Sequence, residues 1–160
     1  MRRAIGGLFG VALAVALSAG TGLAQGRPLS GFGRQDLTFG PLIPGIATTV
    51  SRLDAANAGQ FELRGTRFAE VQLELTLPAA LVETGGASLP LLFSAGDGGY
   101  STDPDIASAQ SFDPRVPLIT TLSNNGRCYI FLGGTAVPGG QQRAGTYSAT
   151  ITVTFSYTGV

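Results

Sequence analysis

Tyr147-Ser148-Ala149-Thr150-Ile151-Thr152-Val153-Thr154-Phe155-Ser156-Tyr157-Thr158 is the stretch that decides the fold. Its odd positions are apolar or aromatic, and its even positions all carry hydroxyl groups. A strict period of two places one set on each face of an extended chain. A helix would scatter the apolar set around its axis. β-branched and aromatic residues dominate, as a half-buried sheet surface favours. The pattern predicts a long antiparallel strand with Tyr147, Ala149, Ile151, Val153, Phe155 and Tyr157 facing a core.

The same alternation recurs upstream in Val71-Gln72-Leu73-Glu74-Leu75-Thr76-Leu77, which stops at Pro78. Phe61-Glu62-Leu63 is a shorter version, and Arg127 to Leu132 ends at Gly133-Gly134. Ser88 to Ala95 is apolar but contains Pro90, which predicts an edge strand or a late start. Leu37–Gly40 and Gly45–Leu53 read as early strands, and residues 78–82 as a limited helical turn. Turn clusters separate these runs: Asn57-Ala58-Gly59, Glu83-Thr84-Gly85-Gly86, Gly96-Asp97-Gly98-Gly99, Asn124-Asn125-Gly126 and Pro138-Gly139-Gly140. Gly and Asn supply the backbone angles that tight turns need. Seven or eight short strands at this spacing, without helical periodicity, predict an all-β antiparallel sandwich.

The N-terminus addresses compartment. Arg2 and Arg3 precede an apolar stretch from Ile5 to Leu17, and small residues follow to Gly22-Leu23-Ala24. That order predicts a signal peptide over residues 1–24 with the cut after Ala24. The apolar run is shorter than the ~20 residues a membrane helix needs. Residues 25–160 then form a single β-sandwich domain, and no later segment reads as a membrane span. The expected destination is the periplasm, the cell surface or the medium. The whole chain has zero net charge. Removal of Arg2 and Arg3 would leave eight Arg against ten acidic residues, and there is no Lys. A mildly acidic chain of this kind predicts no nucleic-acid partner. Cys128 is the single cysteine and lies in an apolar segment, which favours a buried thiol over an intermolecular disulfide.

Catalytic chemistry finds few starting points. Without His there is no Ser-His-Asp or Cys-His arrangement, and no ordinary zinc site. Without Lys there is no Schiff base. A carboxylate pair drawn from Glu62, Glu70 and Glu74 would be the remaining route, as in sugar hydrolysis. Glu74 shares its face with Gln72 and Thr76, as on a solvated sheet surface. The loop from Asp97 to Asp113 also holds Asp103 and Asp105. Its oxygen ligands would suit calcium, but its spacing is not that of an EF-hand, and its two Asp-Pro pairs are turn chemistry. Tyr100, Tyr129, Tyr147 and Tyr157 raise a carbohydrate surface, although Tyr147 and Tyr157 fall on the core face of the last strand. No catalytic, cofactor-binding or metal-ligating residue is assigned, and no cofactor is expected.

Two stretches carry a resemblance. One is Asp36-Leu37-Thr38-Phe39-Gly40-Pro41-Leu42-Ile43-Pro44-Gly45. The other runs Leu132-Gly133-Gly134-Thr135-Ala136-Val137-Pro138, then Gln141-Gln142-Arg143-Ala144-Gly145-Thr146-Tyr147 and the Thr-rich strand. Together they resemble the family of bacterial secreted domains called DUF4402, and the tail is similar to spore coat U and other pilin-like subunits. The resemblance implies an immunoglobulin-like fimbrial sandwich. It also implies a non-enzymatic structural or adhesive subunit of a surface appendage, coat or biofilm material. Partners implied are further copies or other surface subunits joined by strand addition, and a periplasmic chaperone. The chain departs from spore coat U in lacking cysteine pairs, and residues 25–35 offer only Leu29 and Phe32 as a donor strand. A monomeric periplasmic or secreted ligand-binding module, using the Asp97–Asp113 loop, is the alternative expectation.

Overall fold

The computed structural model describes residues 10–16 and 26–159. Thirteen strands are described: β1 (Gly10–Ala16), β2 (Ser30–Gln35), β3 (Thr48–Val50), β4 (Gly59–Arg64), β5 (Glu70–Thr76), β6 (Ala80–Glu83) and β7 (Ser88–Leu92). Then follow β8 (Gly98–Ser101), β9 (Gln110–Phe112), β10 (Leu118–Thr121), β11 (Arg127–Leu132), β12 (Gly134–Ala136) and β13 (Tyr147–Tyr157). One sheet has the order β2-β4-β11-β8-β9, and the other joins β10, β5, β13, β6, β7, β12 and β3, with β1 against β13. The result is the expected antiparallel sandwich, with more and shorter strands than the turn spacing suggested. Among the described residues no helix is long and apolar enough to cross a membrane.

The core lies between the sheets, where alternate residues of each long strand meet. β13 contributes Tyr147, Ile151, Val153 and Phe155, and β5 contributes Val71, Leu73 and Leu75. Across from them stand Phe61 and Leu63 of β4 and Cys128, Ile130 and Leu132 of β11. Tyr147 is fully buried, and its hydroxyl donates to Arg143 O at 2.7 Å, so the loop before β13 is tied to the strand it introduces.

Three local expectations are corrected. Leu37–Gly40 is not a strand. Leu37 and Phe39 still enter the core, while Thr38 N bonds to Asn57 O at 2.9 Å. Residues 80–83 form β6 rather than a helical turn, because β13 extends past Pro78 and offers a partner. Pro90 sits in β7, which has partners on both sides, so it does not mark an edge. Val137 N donates to Pro90 O at 2.9 Å where the β7–β12 ladder ends, and the missing proline donor falls at that end.

β13 has two unlike edges. Along one, β5 pairs with Thr152–Tyr157 and β6 pairs with Tyr147 and Ser148, end to end. Hydrogen bonds confirm that both lie on the same edge. Leu122 N to Ala69 O turns the odd residues of β5 towards β10, and Glu83 N to Ala87 O turns Glu83 towards β7. The even residues of β5 and β6 therefore face β13, and they meet its even residues, as Thr158 N to Glu70 O shows. The backbone groups of Ala149, Ile151, Val153 and Phe155 consequently point to the other edge. There β1 pairs in parallel, from Gly10 opposite Ser148 to Ala16 opposite Thr154. β1 also lies beside β2, the edge strand of the second sheet, so it occupies the open seam of the sandwich.

Candidate functional site

Two features stand out, the seam and a polar cleft. At the seam, Gly31 of β2 lets the two sheets approach. A Cβ there would collide with the Phe61 ring and lie 2.7 Å from Cε1 of Phe155. The two rings sit 6.1 Å apart, one from each sheet. Farther along, Tyr157 Oη donates to Arg27 O at 2.6 Å and accepts from Thr66 N at 2.8 Å, which pins the end of β13 to the chain entering β2. Behind β13 a small apolar cavity of ≈ 20 Å³ is lined by Leu75, Ile151 and Val153 of one sheet and Phe61, Ile130 and Leu132 of the other. The seam is thus an apolar slot between β2 and β13, filled in this structure by β1.

β1 falls inside the segment expected to be the signal peptide. The rest of residues 1–24 lies outside the described residues. The neighbouring stretch Ser30–Gln35, weighed as a donor strand, is already paired with β4.

The polar cleft lies on the outer face of the five-stranded sheet, with a volume of ≈ 500 Å³. Arg64 and Arg127 are register partners on β4 and β11, and both line it. Like charges directly opposite repel, so this pairing needs a counter-ion. Glu62 supplies it. Its side chain has no exposure, yet it is covered by guanidinium groups that themselves face water. Arg34 Nε donates to Oε2 at 2.6 Å and Arg34 Nη2 also reaches Oε2. Arg64 Nε donates to Oε1 at 2.7 Å, and Arg127 Nη1 stands 3.4 Å from Oε1. The hydrogen bonds from Arg64, more than those from Arg34, hold the Glu62 carboxyl below its usual range against the opposing effect of burial. Arg64 also lies over the Phe32 ring, 4.7 Å from its centroid.

The remaining walls are turns. Gly126, with φ +68°, closes the turn after β10, and a Cβ there would strike the Gly65 carbonyl oxygen. That turn places Ser123 and Asn125 on one rim, while Thr102, Asp103 and Pro104 form another and Arg27 a third.

The carboxylates weighed for catalysis are kept apart. Glu62 is enclosed by arginines, while Glu74 is exposed on the outer face of the opposite sheet, and Glu70 takes a hydrogen bond from Thr158. In the Asp97–Asp113 loop, Asp97 accepts from Ser94 N and Oγ at 2.7 Å, and Asp105 accepts from Ala107 N. Asp113 pairs with Arg115, whose hydrogen bonds lower its carboxyl to about 2. Only Asp103 of that set reaches the cleft. Among the described residues no group of three or more His, Cys, Asp or Glu side chains is placed to hold a metal ion. Cys128 is a free, buried thiol, and burial pushes its pKa up to about 12. Of the four tyrosines, Tyr147 is core, Tyr100 and Tyr157 pack against the core, and Tyr129 faces the cleft.

Sequence reasoning did not single out the arginine cluster. Its members are spread from residue 27 to residue 127, and only the strand register gathers them. No protein-family model matches the chain, and no curated protein matches it.

Proposed function

We propose that the protein is a non-enzymatic structural or adhesive subunit of a bacterial surface assembly, exported by its N-terminal segment and joined to partners by strand addition. One observation carries this reading. The only described strand on the second edge of β13 is β1, and β1 lies within the predicted signal peptide. Cleavage after Ala24 removes it. The backbone groups of Ala149, Ile151, Val153 and Phe155 then lose their partners beside an apolar slot. An unpaired edge backed by apolar side chains is a template for another strand. The incoming strand runs parallel to β13 and brings small or branched apolar residues, as Gly10–Ala16 does with GVALAVA. Because Ser30–Gln35 is committed to β4, that strand comes from another polypeptide: another copy, another surface subunit or a periplasmic chaperone. The resemblance to DUF4402 and spore coat U supports the same reading.

A soluble peptide carrying GVALAVA between terminal lysines tests it. Added to the exported chain, it should raise the melting temperature in a dose-dependent way, since a ligand that binds only the folded state stabilises it by about 2.7 kcal/mol at a hundred times its Kd. A scrambled peptide with the same effect, or no effect of either, would remove the support. The alternative, a monomeric binding module, draws on the arginine cleft, to which the Asp97–Asp113 loop contributes Thr102, Asp103 and Pro104.

A further inference from the structure

We infer that the cleft between Arg27, Arg64 and Arg127 binds an acidic glycan, with the arginines taking the carboxylate of a uronate-type sugar. The site is independent of the seam, since it lies on the outer face of the other sheet. The residues after Ala24 carry more acidic than basic groups, yet three of their eight arginines pair with Glu62, and Arg27 joins Arg64 and Arg127 in lining the cleft. Glu62 offsets one of those charges and Asp103 a second, which leaves a local cationic excess. Such a concentration in a concave site focuses field on an anion.

Glu62 also orients the site. It occupies Nε and Nη2 of Arg64, and it meets Arg127 only at 3.4 Å through Nη1. A guanidinium carries five donors in a planar fork, so Arg127 retains donors for a carboxylate. The Arg27 guanidinium makes no ion pair among the described residues. The rest of the wall is suited to a sugar. Thr102, Ser123 and Asn125 offer hydroxyl and amide groups to ring hydroxyls, and Tyr129 offers an aromatic face. A volume of ≈ 500 Å³ lies within the range of small-ligand sites.

Calorimetric titration of the full exported protein with oligogalacturonate tests the inference. Arg127→Gln and Arg27→Gln are the variants, each checked for an unchanged melting profile, and neutral oligogalactan and inorganic phosphate are the comparison ligands. Oligogalacturonate should bind, weaken as salt rises, and weaken at least tenfold in Arg127→Gln, while oligogalactan should not bind. Absence of oligogalacturonate binding would overturn the inference. Equal affinity for oligogalactan, or unchanged affinity in both folded variants, would do so as well. Phosphate binding as tight as oligogalacturonate would make this a simple anion site and overturn the glycan assignment. None of these outcomes depends on whether the protein assembles through β13.

Discussion

Leu13 stands opposite Ile151 in parallel register, and through that ladder β1 covers the edge of β13 that neither β5 nor β6 reaches. The relation gives one strand two demands. Its odd side chains must fill the core while its odd backbone groups must find a partner on the edge away from β5 and β6.

The first demand makes Ile151 intolerant of charge. Ile151 is buried between the sheets. A carboxylate there would lose its hydration without gaining an ion pair. Ile151→Asp should therefore yield no soluble folded protein, whereas Ile151→Val should cost only about 0.5–1.5 kcal/mol. Circular dichroism and urea melts read both. A folded Asp variant would mean that the inward face of β13 is wrongly placed.

Gly31 should resist enlargement. Its Cβ would meet Phe61 and Phe155 at the seam, so Gly31→Val must move rings of both sheets. Overpacking of this kind costs about 1–3 kcal/mol. Exchange of the β2 amides should quicken in the variant, measured against those of β5. Unchanged protection in β2 would show that the rings have room.

Glu62 should make the fold sensitive to acid. Its folded pKa lies below the ordinary 4.5, so the unfolded chain binds the proton more readily. The stabilisation is then complete above about pH 5 and is lost as pH falls through the lowered folded value. Glu62→Gln should lower stability by roughly 1–3 kcal/mol at neutral pH, as loss of charged hydrogen bonds does. It should also flatten the acid limb of the stability profile. Wild-type and variant curves that run parallel down to low pH would contradict this role.

Cys128 should be silent in the native protein. With its pKa pushed up to about 12 and its sulfur buried, almost no thiolate is present at neutral pH. A thiol reagent should label it only as denaturant unfolds the chain. Rapid labelling without denaturant would contradict the placement of β11.

The parts of the fold that follow period two were legible in the sequence. β13 and β5 point alternate residues into the core as their apolar pattern requires, and β11 does so with Cys128, Ile130 and Leu132 while also burying Phe131. β2 was not legible, because Gly31 and Gly33 remove the apolar signal that marks a strand, and Gly31 is small for the sake of rings contributed by β4 and β13. Leu37 and Phe39 misled in the opposite direction, since they plug the core from a segment without a ladder. The arginine cleft shows a third limit. Glu62 alternates like any strand residue, and its neighbours Arg34 and Arg127 come from other strands through pairing that spacing along the chain does not encode.

The central claim concerns the second edge of β13. Size-exclusion chromatography with light scattering on the exported, cleaved chain addresses it directly. An open edge should give a ladder of oligomers or a fibre, and the GVALAVA peptide should collapse it to the monomer. A clean monomer, stable with or without that peptide, would mean that the sandwich closes its own seam and that β13 is not an assembly surface.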